Sequence, residues 1–404
     1  MATTTPDTIT RVAFLTPEYL TEAHGSGGIA NYVAKMAATL AVHGVTSEVF
    51  VPSREPGVVS FEGIRVHRVP RERSVVARGV SRALRPFGGS RTELLLHLMD
   101  ARRLARALER RHAELPFDVV QSSNHNLTGF FVRAAPGRRR LIRISTSRRL
   151  YDGATGLGDG GLSRLSEALD VRAIRRADVA YAPSRLLADH FNRCYGADVH
   201  VLRPPAGLGT VPSPERLPFE LPGRYFVHFG SLGQRKGTDV VARALSLAWR
   251  QEPDLRMVMI GPISPRALAE YQAAWGSARD RVSMVGQLDK ASLYAVVRGA
   301  LASVLPSKID NLPNTVIESL VLGVPVIGSD GASIDELVEH GRSGALVPIG
   351  DEAALSEAML EAWQGRAPWL GPGFVAPAVL AQMQPDEAVR RFLDLATGAG
   401  TRSP

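Results

Sequence analysis

The second half of the chain repeats one pattern: a short apolar run, a turn, then a segment with apolar residues at helical spacing. The runs fall at residues 225–229, 257–260, 282–285, 302–305, 325–328 and 345–347. Each is only three to five residues long and mostly apolar, the length and composition of a short strand. Strands of that kind joined by helices build a doubly wound parallel sheet, whose ligands bind at the carboxyl ends of the strands. One connecting helix is expected at Ser333-Ile334-Asp335-Glu336, a capping-box pattern. Another is expected after Asp351, where Leu355, Ala358, Met359 and Ala362 define an apolar face.

The first half carries the same alternation less regularly. An apolar run at 12–15 leads through a glycine-rich loop to a helix with Ile29, Tyr32, Val33, Met36 and Leu40 on one face. Gly44 can stop that helix, and residues 47–51 read as the next strand. Further strands are expected at 118–121, 141–144 and 177–181. A flexible glycine-laden loop is expected at 152–162, and Pro183-Ser184 opens a helix. At 404 residues the chain exceeds what one core normally supports, and the proline-rich passage 203–222 suits a domain linker.

The chain has 45% apolar and 22% charged residues, as in an ordinary globular protein. No run reaches the roughly 18 apolar residues of a membrane span, and residues 1–10 lack the basic and apolar regions of a leader, so a cytoplasmic protein is expected. The single Cys194 excludes an internal disulfide. A net charge of +8 and a pI of about 10.0 raise the question of an anionic partner. The acidic residues are spread among the basic ones and no aromatics interleave with them, which argues against nucleic acid. The excess concentrates between Arg65 and Arg111, in Arg78, Arg82, Arg85, Arg102, Arg103, Arg106, Arg110 and Arg111. That segment is either a solvated helical face or a patch for peripheral contact with anionic lipid.

Two strand-to-helix junctions have the chemistry of anion sites. In Gly230-Ser231-Leu232-Gly233-Gln234-Arg235-Lys236-Gly237 the glycines permit close backbone approach, and Arg235 and Lys236 bring positive charge. In Pro306 to Glu318, Pro313 and Asn314 suit a helix start whose free amides attract anions. Asp310 and Glu318, eight residues apart, are two carboxylates at the same opening, suited to accepting hydrogen bonds from hydroxyl groups.

Together these stretches resemble the retaining GT-B glycosyltransferases of family 4, over residues 12 to about 363. Pro306 to Ser329 resembles that family's acidic-x7-acidic signature, with its trailing Gly323-Val324-Pro325-Val326. The resemblance implies two Rossmann-like domains facing a cleft. Residues 1–205 would bind the acceptor and 206–375 the nucleotide sugar, and 376–404 would form a helix returning to the first domain, with a tail. It implies that Asp310 holds the donor sugar's hydroxyls and Glu318 the ribose. Lys236 with Arg235 would bind the diphosphate, beside Gly230 and the amides around Leu312, Pro313, Asn314 and Thr315. Gly286 and Gln287 would lie by the nucleobase, Gly27 and Gly28 near the diphosphate, with Glu18 and Tyr19 opening that segment.

The chain departs from the family pattern at Asp310, where glutamate is frequent, and at Ser231, where arginine is common. It has Gln121-Ser122-Ser123-Asn124-His125-Asn126 where a histidine usually follows the strand, which makes His125 the candidate there. The resemblance further implies retention of configuration, with neither cofactor nor metal; no Asp-x-Asp pair occurs in the chain. Two rivals remain. Gly25-Ser26-Gly27-Gly28-Ile29-Ala30 fits a dinucleotide fingerprint, which would make the chain an NAD(P)-dependent oxidoreductase, but Gly25 stands ten positions after Leu15, the end of the preceding strand. A catalytically silent nucleotide-sugar-binding protein is the other.

Overall fold

The structure is a computed structural model and describes residues 8–23, 27–71, 89–156, 161–208, 217 and 219–399. The chain divides into two compact units. One comprises Met1–Gly153, Leu157–Pro205 and Met383–Pro404, the other Ala154–Gly156 and Ala206–Gln382.

In the first unit the strands are β1 (Arg11–Leu15), β2 (Thr46–Ser53), β3 (Gly57–Phe61), β4 (Ile64–Pro70), β5 (Val119–Ser123), β6 (Arg139–Arg143), β7 (Val179–Ala182) and β8 (Val199–Val201). They form one sheet in the order β3-β4-β2-β1-β5-β6-β7-β8, parallel except for the β3–β4 pair. The helices are α1 (Gly28–Val42), α2 (Gly89–Glu114), α3 (Arg148–Ala154), α4 (Gly161–Ile174) and α5 (Arg185–Tyr195). Val12, Phe14, Val49, Val119 and Tyr181 of the sheet pack against Val33, Met36 and Leu40 of α1. The C-terminal helix, Pro385–Thr397, adds Val389 and Phe392 to this core. Burying each such side chain stabilises the unit by about 1.5–3 kcal/mol.

The second unit has six strands, all parallel: β9 (Phe226–Phe229), β10 (Met257–Ile260), β11 (Val282–Val285), β12 (Ser303–Leu305), β13 (Val326–Asp330) and β14 (Gly344–Pro348), in the order β11-β10-β9-β12-β13-β14. Its helices are α6 (Thr238–Ala248), α7 (Pro265–Trp275), α8 (Lys290–Gly299), α9 (Asn314–Val321) and α10 (Glu352–Trp363), which makes the C-terminal helix α11. Both units are therefore Rossmann-like. In each, strand order reverses at one place, between β1 and β5 in the first unit and between β9 and β12 in the second. Side chains just beyond those four strands face the crevice that such sheets use for ligands.

Two expectations need correction, and one element is new. No helix begins at Ser333: Ala332 and Ser333 adopt φ of 53° and 61°, so the segment turns in the left-handed region, and the Ser333 hydroxyl donates to the Asp310 carbonyl at 3.2 Å instead of capping. Asp152 lies within α3, not in a loop; residues 157–160 of the expected glycine-laden loop fall outside the described residues. The β3–β4 hairpin was not anticipated; it turns through Glu62 and Gly63, at φ of 50° and 80°.

Candidate active site

In the second unit, the two junctions singled out in the sequence follow β9 and β12, the neighbouring strands at the switch point. They are locked together by close backbone approach. Gly237 sits at φ +72°, and a Cβ there would stand 2.0 Å from the Pro306 carbonyl oxygen. The Lys308 amide donates to the Arg235 carbonyl at 2.9 Å. Behind the loop, His228 is fully buried. Its Nδ1 faces the Val304 carbonyl at 2.7 Å and its Nε2 the Thr238 hydroxyl at 2.9 Å, while that hydroxyl accepts from the Gly233 amide at 2.8 Å. Such a chain fits a neutral ring with its proton on Nδ1. Burial pushes the pKa of His228 down to about 4.

This framework aims both cations at one carboxylate. Lys236 Nζ lies 2.5 Å from Asp310 Oδ2, and Arg235 Nη1 3.4 Å from the same oxygen. The side chains of Lys236 and Asp310 are each only 12% exposed, so water screens their attraction weakly. The other oxygen of Asp310 accepts from the Asn311 amide at 2.9 Å. Next to this cluster, α9 begins at Pro313, which offers no side-chain cap, and its first turn holds no acidic residue. The positive end of α9 therefore adds to the charge of Arg235 and Lys236. Leu312 and Pro313 are buried beneath the opening, Asn314 is exposed and Thr315 half-buried. Gly230, at φ +114°, lets Thr315 approach: a Cβ there would meet Thr315 Cγ2 at 3.2 Å.

Glu318 is half-buried rather than the solvated helical glutamate its position suggests, and Tyr294 of α8 donates its hydroxyl to Oε1 at 3.4 Å. Burial raises the pKa of Tyr294, with the charge of Glu318 adding to the effect, so the phenol stays protonated as a donor. Gly286 and Gln287 lie exposed beyond the edge strand β11, where the Gly286 carbonyl accepts from the Gly261 amide at 3.2 Å. Sequence reasoning missed Tyr294 and His228, which act through residues far along the chain and carry no local signature.

In the first unit, Gly27 is the N-cap of α1 and Gly28 its first residue; Gly27 offers no side chain as a cap. The Glu18 carboxylate takes that place, accepting from the Ala30 amide at 3.4 Å, and a Cβ on Gly27 would collide with it. Burial raises the pKa of Glu18, opposed by these amide bonds. Tyr19 belongs to the core, with its ring edge-on to Phe61. His125 stands on the one-turn helix His125–Leu127 after β5, its amide donating to Ser123 Oγ at 3.1 Å. Burial, with His97 of α2 nearby, lowers its pKa to about 4. The dinucleotide fingerprint does not form its turn directly after a strand: Thr16 to Gly27 intervene between β1 and α1, and Gly25 and Ser26 lie outside the described residues.

Residues 223–364 match the family model described as glycosyl transferases group 1, and residues 27–207 match the glycosyl transferase 4-like domain. The D-inositol 3-phosphate glycosyltransferase of Jonesia denitrificans is 26% identical over 350 residues, which span 80% of each chain. Other curated relatives are matched over as little as 33% of their length. Among solved structures, sucrose-phosphate synthase from Thermosynechococcus elongatus superposes with a TM-score of 0.73 at 17% identity, covering 98% of this chain and 100% of that one. HepE from Anabaena, in complex with UDP and glucose, gives 0.67 at 14% identity, covering 96% and 100%. At such identities the structural likeness establishes the fold.

Proposed function

Because the chain belongs to the GT-B glycosyltransferases of family 4, we propose that it carries a sugar from a nucleotide-diphosphate donor to a hydroxylated acceptor with retention of anomeric configuration and without a metal ion. That it is a glycosyltransferase using nucleotide-sugar donors is the common ground of its relatives; configuration, metal independence and acceptor are our reading. The observation that carries it is the convergence of Lys236, Arg235 and the uncapped start of α9 beyond adjacent strands. When the bond from the anomeric carbon to the β-phosphate oxygen breaks, its electron pair leaves with the diphosphate. Two cations and a helix terminus are suited to stabilise that charge, the task a metal performs elsewhere.

On this reading the diphosphate draws Lys236 and Arg235 away from Asp310, whose carboxylate is then free to accept hydrogen bonds from the donor sugar. Glu318, backed by Tyr294, takes the ribose hydroxyls. Gly230 and the amides of Leu312, Asn314 and Thr315 approach the phosphates, while Gly286 and Gln287 face the base. In the first unit, Gly27 and Gly28 serve the diphosphate and His125 stands by the acceptor. The acceptor hydroxyl attacks from the face the diphosphate leaves, and its proton passes to the departing phosphate oxygen, so no side chain is required as a base. The acceptor is a glycan, lipid-linked or of the cell envelope, or a hydroxylated secondary metabolite. HepE, of like fold, is seen with UDP-glucose, which makes uridine donors the first to test. The test is nucleoside diphosphate release from uridine, guanosine and thymidine diphosphate sugars in the presence of a chelator, with NMR of the product. Release abolished by the chelator, or an inverted product, would refute the corresponding part.

We also propose that the first unit rests on an anionic membrane surface. With 33 Lys and Arg against 22 Asp and Glu, it carries a net +11, whereas the second carries −3, from 15 against 18. Arg102, Arg106 and Arg110 form an exposed row on α2, while Glu109 and Glu114 are drawn to Arg138 and Arg111. Like charges one turn apart weaken a helix, and an anionic surface would relieve them. Arg78, Arg82 and Arg85 lie outside the described residues. No helix among the described residues is long and apolar enough to cross a membrane. Cosedimentation with phosphatidylglycerol vesicles, lost when the three arginines become glutamate, is expected; equal pelleting of that variant would refute the contact.

A further inference from the structure

The loop that carries Arg235 and Lys236 closes on itself at Gly233 and Thr238. The Gly233 carbonyl accepts from the Lys236 amide at 3.0 Å and from the Thr238 amide at 3.2 Å, and the Gly233 amide donates to the Thr238 hydroxyl at 2.8 Å. Arg235 and Lys236 stand on the single turn, Gln234–Lys236, enclosed between those two residues. The Thr238 hydroxyl then meets His228 of β9 at 2.9 Å, and His228 meets the Val304 carbonyl of β12 at 2.7 Å, just before Pro306 opens the loop to Asp310. His228 and Thr238 are both fully buried, so neither offers a surface to a ligand.

Taking the site to bind a nucleotide sugar, we propose that Thr238 and His228 are positioning residues that set its affinity for the diphosphate, by holding the turn of Arg235 and Lys236 in register with the Asp310 loop. The Thr238 hydroxyl has one proton and two lone pairs and uses both kinds: the proton on His228 Nε2, a lone pair on the Gly233 amide. His228 passes the constraint to β12 through its other nitrogen. Gly237, the N-cap of α6, has no side chain that could hold the turn instead. Without the hydroxyl, the Gly233 amide and His228 Nε2 both lose their partner in a dry interior, and the start of the turn gains by moving toward water. The Lys308 amide still holds the Arg235 carbonyl at 2.9 Å, so the turn loosens at one end and stays on the unit.

The effect falls on binding. A turn already in place accepts a diphosphate without the cost of ordering it, whereas a loosened one pays that cost at each encounter. The same turn grips the diphosphate before and after the sugar leaves, so loosening it raises the donor KM and leaves kcat nearly alone. A hydroxyl with a structural role alone would lower stability and move neither constant.

The test is isothermal titration of the full chain with uridine, guanosine and thymidine diphosphate in turn, on the wild type, Thr238→Val, Thr238→Ser and Ser343→Ala, with steady-state nucleoside diphosphate release on the same proteins. Valine keeps the shape and removes the hydroxyl; serine keeps the hydroxyl. Ser343, also fully buried and bonded through its hydroxyl to the Glu339 backbone, controls for the loss of a buried hydroxyl elsewhere in the unit. Thr238→Val should bind the diphosphate about tenfold more weakly, the scale of one internal hydrogen bond, and raise the donor KM by the same factor with kcat within about twofold. Thr238→Ser should recover to within about twofold of the wild type, and Ser343→Ala should bind as the wild type does even where it melts earlier. Should Thr238→Val fail to fold, amide exchange in the wild type decides: Gly233 should exchange at least about tenfold more slowly than an unbonded amide, and more slowly again with the diphosphate bound. Equal affinity in the wild type and Thr238→Val, no recovery in Thr238→Ser, an equal loss in Ser343→Ala, a fall in kcat alone, or Gly233 exchange that the diphosphate leaves unchanged would each overturn the assignment. A wild type that binds none of the three diphosphates overturns the nucleotide-sugar reading and this inference with it; one that binds while Thr238→Val binds equally overturns this inference alone.

Discussion

Lys236 Nζ and Asp310 Oδ2, 74 residues apart in sequence, meet at 2.5 Å beyond the two strands that flank the second unit's switch point. The pair is mostly buried, so bulk water screens its attraction weakly, and on the proposed function each takes a new partner when the donor binds. A ligand with an anionic end and a hydroxylated end satisfies both at once. A nucleotide sugar has that form.

Removing the cation should show this first. Lys236→Ala is expected to lower transfer by about 10²–10³-fold at subsaturating donor, the typical loss when one donor to a developing anion is removed. The fold should survive, since Asp310 keeps Arg235 and the Asn311 amide. Steady-state rates on the variant check it, and a wild-type rate would contradict the assignment.

Tyr294 donates its hydroxyl to Glu318. Its hydrogen bond is long, 3.4 Å, and worth about 0.5–1 kcal/mol net. Tyr294→Phe should therefore raise the donor KM about two- to fivefold with kcat unchanged, and Glu318→Ala should raise it further. A fall in kcat alone for Tyr294→Phe would assign the phenol another role.

The glycines of the cation loop are not equivalent. Gly237→Ala places a Cβ against the Pro306 carbonyl at φ +72°, a backbone conformation costing about 1–3 kcal/mol for other residues, and should lower the melting temperature by several degrees. Gly233 is extended, at φ 174°, with nothing near its missing Cβ, so Gly233→Ala should leave it unchanged within about 1 °C. Calorimetry of the two variants decides between them.

Stability should fall as the pH is lowered through a defined window. Folded His228 binds its proton with a pKa of about 4, against 6.5 when unfolded. Between those values the unfolded chain holds more protons, so stability rises with pH; it is fully present above about 6.5 and lost on descending toward 4. The full loss is on the order of 3 kcal/mol for this histidine. His125 works in the same direction. Urea denaturation from pH 7.5 to 4.5 should show the slope, and His228→Gln should flatten it; an unchanged slope in that variant would place the proton elsewhere.

Strands 225–229, 257–260 and 282–285 were legible because parallel strands of such a sheet leave short, mostly apolar runs. The two anion loops were legible because their cations, glycines and helix starts are contiguous. Ser333 misled because a capping box describes side-chain spacing, whereas two positive φ angles at Ala332 and Ser333 decide the backbone. The β3–β4 hairpin lacked an Asn-Gly or Asp-Gly turn, having Glu62-Gly63 instead. His97 was hidden within an arginine-rich helix, and its proximity to His125 arises only when α2 packs over the sheet.

The partner exchange of Lys236 is tested most directly by isothermal titration of nucleoside diphosphates against the wild type, Lys236→Ala and Asp310→Asn. One diphosphate should bind the wild type, bind Lys236→Ala at least tenfold more weakly, and bind Asp310→Asn as tightly or more so, although that last variant should transfer no sugar. Equal affinity in the wild type and Lys236→Ala, or weaker diphosphate binding by Asp310→Asn, would contradict it.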